Sequence, residues 1–435
     1  VTVPEQALEL FTFGPFTLDP FGRTLDSHAS PVRLEARPFE LLEYFVHNAG
    51  SRLSKETIAT SAWQVERVAE DDVDAYVVEL RAVLARYSPR TTFIVQDRDG
   101  YRFVARVATR PPEFGSEAAA RRLHSRARYF FEKRTADALH RSIYYYRRAL
   151  EAAPRFGAAY AGLARAYVLS AEYLYLPPNE AFPPAATAAE TALALDGPAV
   201  EPYLVLGQVA CYYTRDFAAA DHWYGLAVEL DSDVADTGVF LAWLRCIEGR
   251  AAEASAALAD AVRAEPFSTV VQTTFAVTLI FERRLDEGIA ILRETLARDG
   301  MSPHARLYLA QALQVAGGGP EIVALCSDPY PDGYEQEFLA LRACGRIAMG
   351  DRSGAEQIAA EIRALGAHGR FVSSYNLALI ALALDQPDEA VRLLERSLAE
   401  RDPWVVLALH HPQVDALRDR PDFQALVGRI ARASA

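Results

Sequence analysis

The sequence predicts a mainly α-helical chain: a small α+β domain at the N-terminus followed by a long α-helical superhelix built from repeats. Three observations carry that expectation. Short β-prone runs broken by turn residues bracket helical patterns in roughly the first quarter of the chain. From Glu117 onward, apolar residues recur at helical spacing almost to the end. Within that second stretch, small residues return at intervals near 34. A chain of 435 residues is too long for one ordinary domain, and 51% hydrophobic with 24% charged residues is ordinary for a globular protein.

The N-terminal elements read in order. Phe11-Thr-Phe-Gly14, Phe16-Thr-Leu18 and Val32-Arg-Leu34 are β-prone and separated by turns, which suggests a small antiparallel sheet. A first helix is expected from Pro38 to Asn48, with Phe39, Leu41, Leu42, Phe45 and Val46 on one face. Ser54 caps a second, expected to run to Trp63 with Ile58 and Trp63 inward. A third is expected from Asp71 to Tyr87, burying Val73, Val77, Leu80 and Leu84. Phe93 to Gln96 and Tyr101 to Val104 then pair around Asp97-Arg98-Asp99-Gly100.

This arrangement resembles the winged-helix domain of OmpR/PhoB-type regulators. The matching residues are Phe39-Glu40-Leu41-Leu42, Ser54-Lys55-Glu56, Trp63, Leu80-Arg81, Leu84 and the closing Gly100-Tyr101-Arg102-Phe103. The resemblance implies that the third helix enters the major groove and the wing meets the minor groove. It places Lys55 near a phosphate, Arg81 and Arg86 on the reading helix, and Arg98 and Arg102 at the wing. The chain departs from the family where DNA is met. Glu79, Ala82 and Val83 stand where basic residues are usual, and the helix opens with Asp71, Asp72 and Asp74. Through Arg110 there are 13 Lys+Arg against 16 Asp+Glu, although nucleic-acid affinity comes largely from cations that displace counterions.

Domain boundaries follow from composition. Residues 1–108 form the winged helix and 109–120 a Pro/Gly-marked linker. Residues 121–403 form the array and 404–435 its C-terminal capping helices. In the array, Ala149, Ala192, Ala227, Ala261, Thr295, Ile362 and Ser397 occupy equivalent places, at spacings of 43, 35, 34, 34, 67 and 35. The double interval hides a decayed unit around Leu307-Tyr-Leu-Ala310 and Glu321 to Leu325, which makes about eight units. The pattern resembles the tetratricopeptide repeat (TPR), which implies stacked helix pairs with a groove for a protein or peptide ligand. The extra residues from Leu174 to Pro184 are expected as a loop, and Gly317-Gly-Gly-Pro320 as a turn or hinge. Trp404, Val406, Leu407, Leu417, Phe423 and Leu426 are expected to seal the last unit.

One segment differs from its surroundings. Between Arg121 and Arg148 lie nine Lys+Arg against Glu132 and Asp137, in a chain of net charge −13. A solvated face over an aromatic core is the plain reading. Two others are open. Arg121, Arg122, Arg126, Arg128, Arg141, Arg147 and Arg148 could add phosphate contacts, or could dock the acidic helix carrying Asp71, Asp72, Asp74 and Glu79.

Several classes find no support. No motif for a catalytic nucleophile, phosphate loop, dinucleotide site or zinc protease occurs, so no catalytic residue and no cofactor is expected. His410-His411 has no metal-ligand company and is expected on the surface of the capping segment. The most extended charge-free apolar run, Pro266 to Phe281, reads as a buried helix, and no membrane span is expected. Cys211, Cys246, Cys326 and Cys344 read as buried thiols of a cytoplasmic protein. The chain opens at Val1 rather than Met, which leaves an N-terminal extension open. The functional expectation is a signal-responsive transcription regulator that binds DNA, with a homodimer as a plausible form. The alternative is an interaction scaffold whose acidic winged helix no longer binds DNA.

Overall fold

The computed structural model describes residues 10–20, 23–28, 30–62, 70–97, 100–110, 117–231, 237–300, 302–327, 333–368 and 370–432. They fall into two compact units, 1–115 and 116–435.

The first unit opens with β1 (Leu10–Phe13), β2 (Phe16–Asp19), β3 (Thr24–Ser27) and β4 (Ser30–Val32), an antiparallel meander. A late strand, β8 (Ala108–Arg110), pairs with β1 and completes the order β4-β3-β2-β1-β8. Three helices follow the meander: α1 (Ala36–His47), α2 (Lys55–Ser61) and α3 (Glu70–Tyr87). The wing consists of β6 (Ile94–Asp97) and β7 (Gly100–Phe103), joined at its edge by the two-residue β5 (Leu53–Ser54). Gly100 has a steric reason. A Cβ there would lie 1.9 Å from the Leu53 carbonyl oxygen, so only glycine lets β7 approach β5. Alternate residues of β1 and β2 turn inward, and Phe13 meets Phe103 edge-to-face at 5.2 Å. Phe45 of α1, Val77 and Leu80 of α3 and Phe103 complete this core. Trp63 lies outside the described residues.

Among the described residues the second unit is a stack of eight helix pairs: α4 (Glu117–Phe131) with α5 (Ala136–Ala152), α6 (Gly157–Glu172) with α7 (Pro178–Asp196), α8 (Val200–Gln208) with α9 (Phe217–Leu230), and α10 (Val239–Ile247) with α11 (Ala251–Ala264). Then come α12 (Thr269–Phe281) with α13 (Leu285–Arg298), α14 (Pro303–Ala316) with α15 (Gly319–Leu325), α16 (Glu335–Ala348) with α17 (Arg352–Ala364), and α18 (Ser374–Ala383) with α19 (Pro387–Ala399). The equivalent residues from Ala149 to Ser397 all fall on second helices. The decayed unit is decayed because α15 is only 7 residues long. Small residues admit large neighbours: a Cβ on Gly207 of α8 would meet the Tyr224 ring of α9 at 2.2 Å.

Three expectations are corrected. The extra residues after Leu174 are mostly helix, since α7 begins at Pro178 and carries Pro183 and Pro184 inside it. Pro178 suits the first turn, and only a short link precedes it. The tail does more than cap. Its α20 (Pro421–Arg432) packs on α19, but two short 3₁₀ segments, Pro403–Leu409 and Pro412–Leu417, run back across the first helices. The former meets α10 and the π-helical Val209–Thr214 that extends α8, and the latter meets α14 and α18. Val405, Val406, Leu407, Leu409 and Leu417 are buried there, each worth roughly 1.5–3 kcal/mol when fully covered. Finally, His411 is not a surface residue. It is buried against the Phe281 ring at 4.9 Å, and burial pushes its pKa down to about 3.

Arg283 locks this return path. Its guanidinium pairs bidentately with Asp415, at 3.0 and 2.6 Å, and also donates to the His410 carbonyl oxygen. The stack turns far enough for Tyr173, after α6, to meet Tyr334, before α16, at 5.1 Å between ring centroids. Gly317 ends α14 in the left-handed conformation, a plain turn. The four cysteines are buried and unbridged.

Candidate nucleic-acid interface

The third helix is positioned by its apolar stripe. Val73, Val77, Leu80 and Leu84 are buried, which fixes the opposite face outward. That face carries Asp72, Ala75, Val78, Glu79, Ala82 and Arg86. Half of these are small and apolar and half are charged, and Val78 stands 63% exposed.

Asp74 is not on that face. Lys55 Nζ, from the first residue of α2, lies 2.6 Å from Asp74 Oδ2. The Tyr101 hydroxyl, from β7, donates to Oδ1 at 2.6 Å. One carboxylate therefore ties α2, α3 and the wing together. Its pKa is lowered, first by the hydrogen bond from Lys55 and then by that from Tyr101. The Tyr101 phenol is pushed up to about 12, by burial first and by Asp74 next.

Arg81 is likewise engaged within the module. Its Nε and one terminal nitrogen donate to the Ile94 carbonyl oxygen at 3.2 and 3.0 Å, and the guanidinium lies over the Tyr101 ring at 5.5 Å. Arg86 is exposed near the end of α3, and Arg102 is half-buried on β7 opposite Val95. Arg98 and the Asp71 side chain lie outside the described residues, as do Asp99 and the Asp97 side chain. Ser54 caps α2 by accepting from the Thr57 N–H at 3.1 Å. Sequence reasoning missed Tyr101 as a partner of Asp74. The signal was there in the closing Gly-Tyr-Arg-Phe, but it gave no hint of where the hydroxyl points.

The basic stretch of the second unit is largely committed locally. Arg141 pairs with Asp137 at 3.0 Å and Arg148 with Glu151 at 2.5 Å, and Arg121 pairs with Glu117. Arg147 donates to the Tyr167 hydroxyl, and Arg126 lies over the Tyr145 ring. Arg122 and Arg128 are exposed. Among the described residues no cluster of His, Cys, Asp and Glu could hold a metal ion. No helix there is long and apolar enough to cross a membrane.

Residues 29–103 match the family model described as "Transcriptional regulatory protein, C terminal". The N-terminal module is thus an OmpR/PhoB-type winged helix, followed by a TPR-like superhelix. No curated protein matches the chain in sequence. Among solved structures, the DNA-binding domain of E. coli CadC is similar over 23% of this chain and 95% of its own, at 22% identity and a TM-score of 0.22. A thermophilic TPR protein of Thermus thermophilus is similar over 45% of this chain and 99% of its own (19% identity, TM-score 0.38). A tetratricopeptide repeat protein of Parabacteroides merdae covers 72% of this chain and 99% of its own (10% identity, TM-score 0.35).

Proposed function

We propose that the protein is a signal-responsive transcription regulator. Its winged helix binds DNA, and its repeat array takes a protein or peptide partner. The observation that carries this reading is the Lys55–Asp74–Tyr101 cluster within the family-matched segment. It neutralises one acid at the start of the reading helix and leaves Ala75, Val78 and Ala82, beside Asp72, Glu79 and Arg86, free to approach base edges. Ala75, Val78 and Ala82 suit contact with thymine methyl groups, and Glu79 can accept from a cytosine amine. Arg86 supplies a phosphate or base contact. A partner of the array competes with residues 403–417, which lie on the first helices, so partner binding and release of the tail are linked.

Fluorescence anisotropy of the full chain with duplex DNA, over a salt series, tests the first half. With acids outnumbering basic residues in the module and Lys55 and Arg81 engaged within it, binding should lose affinity with a log–log slope of only about −2 to −4. It should also retain a surplus for specific over random duplex. No surplus at any salt would favour the scaffold reading instead.

A further inference from the structure

The repeat array forms a partly open chamber between α10, α14, α16, α18 and the returning tail. Trp243, Tyr308, Tyr334, Tyr375 and Trp404 give it aromatic walls. Its free interior is about 40 Å³, room for roughly three water molecules or a ligand of three or four heavy atoms.

Its polar groups are unusual for a core. Buried without a hydrogen-bond partner, among the described residues, are both carboxylate oxygens of Glu337, the Tyr375 hydroxyl, the Asn376 amide nitrogen, the indole nitrogens of Trp243 and Trp404, and the Gln413 amide oxygen. All six residues line the chamber. Buried polar groups of native proteins are normally satisfied, so six on one cavity point to a ligand. Neighbouring contacts hold some of them in place. The Gln413 amide nitrogen is used by Gln314, which leaves its oxygen free, and the backbone N–H groups of Tyr375 and Trp404 both donate to Asp402.

The chemistry selects the ligand. Glu337 is only 7% exposed, and no Lys, Arg or His lines the chamber. An anion therefore meets no counter-charge in the lining, the nearby Arg370 being paired with Glu335, whereas an ammonium group meets a carboxylate and several ring faces. The two indole N–H groups and the Asn376 amide are donors that need an acceptor oxygen. We propose that this chamber binds a small primary amine bearing a hydroxyl group, its ammonium on Glu337 and its oxygen on the Trp243, Trp404 and Asn376 donors. Trp404, Leu407 and Gln413 come from the tail, so the tail roofs the site.

The charge state adds a second reading of the same site. Burial pushes the Glu337 carboxyl up to about 8. The residue's own backbone N–H opposes the rise, Asp402 adds to it, and Arg370 and the Trp404 indole oppose it, although neither that N–H nor that indole makes a hydrogen bond of ordinary geometry to the carboxylate. The other groups facing it are the uncharged Tyr308, Tyr334, Tyr375 and Gln413. An ammonium ligand must meet the ionised form, so its affinity rises with pH.

Titration calorimetry of the full chain with ethanolamine tests this, and it reads the array whether or not the winged helix binds DNA. Binding is expected to be roughly tenfold tighter at pH 8.5 than at pH 6.5, weaker with propylamine, and absent with ethylene glycol and acetate. Glu337→Gln should abolish binding. Trp243→Phe, which removes one of the named donors and keeps an aromatic wall, should weaken it several-fold, and keeps the test open if the first variant does not fold. No ethanolamine heat at either pH, equal binding of ethylene glycol, or full affinity in a folded Glu337→Gln would overturn the proposal and leave the chamber to water.

Discussion

The Tyr101 hydroxyl donates to Asp74 Oδ1 at 2.6 Å and so fastens the wing to the third helix. Lys55 holds the other oxygen of the same carboxylate. An acid that reads as a defect in a DNA-facing helix is therefore an internal brace. This brace makes a pH prediction. The folded pKa of Asp74 is lowered, so its stabilisation is present above the ordinary carboxylate range and is lost as pH falls below it. Asp74→Asn should flatten the acid limb of the first unit's melting curve while changing neutral stability by about 1 kcal/mol or less, because the pair is part-exposed.

Arg81→Ala should act on stability before it acts on DNA. The guanidinium makes two hydrogen bonds to the Ile94 carbonyl oxygen and covers the Tyr101 ring. Losing them should cost about 1–2 kcal/mol, read by denaturant unfolding of the first unit. Neutral stability equal to the parent would contradict the wing-bracing role.

Glu337→Gln should stabilise the array in alkaline buffer. The unfolded carboxyl ionises in its ordinary range, while the folded one keeps its proton to about 8. Folding is thus increasingly disfavoured as pH climbs between those values, by an amount on the order of a few kcal/mol. The parent's melting temperature should fall across that window, and the variant's should fall less steeply, the remaining slope belonging to the buried Glu172 and Asp402, whose carboxyls are raised by burial as well.

Arg283→Ala should free the returning tail. It removes the bidentate pair with Asp415 and the bond to the His410 carbonyl. Hydrogen exchange over residues 403–417 should quicken by about tenfold, while exchange in α12 to α19 stays slow. Unchanged exchange in the tail would show that its apolar contacts alone hold it.

Much of this architecture was legible in the sequence. The three helices and the wing follow from apolar periodicity and turn residues, and the spacing of Ala149 to Ser397 marks the second helices. What escaped was set by contacts distant in sequence. Strand β8 forms only because β1 offers a free edge, and Ala108–Arg110 carries no strand signal of its own. The tail's apolar residues announced burial but not against which helices. Lys55 and Asp74 are 19 residues apart, so their pairing depends on how α2 crosses α3. The chamber draws on five separate segments, and nothing in local sequence separates Glu337 from the many solvated acids around it.

In the proposed function the acidic winged helix reads DNA through the face that carries Ala75, Val78 and Ala82. Selection of bound genomic fragments by the purified full chain, beside Ala82→Glu, tests it most directly. Ala82 is exposed, so the substitution leaves the core intact and adds a carboxylate where a base edge would lie. One enriched sequence motif is expected with the parent and none with the variant, at equal thermal stability. No enrichment with the parent, or the same motif with both proteins, would contradict it.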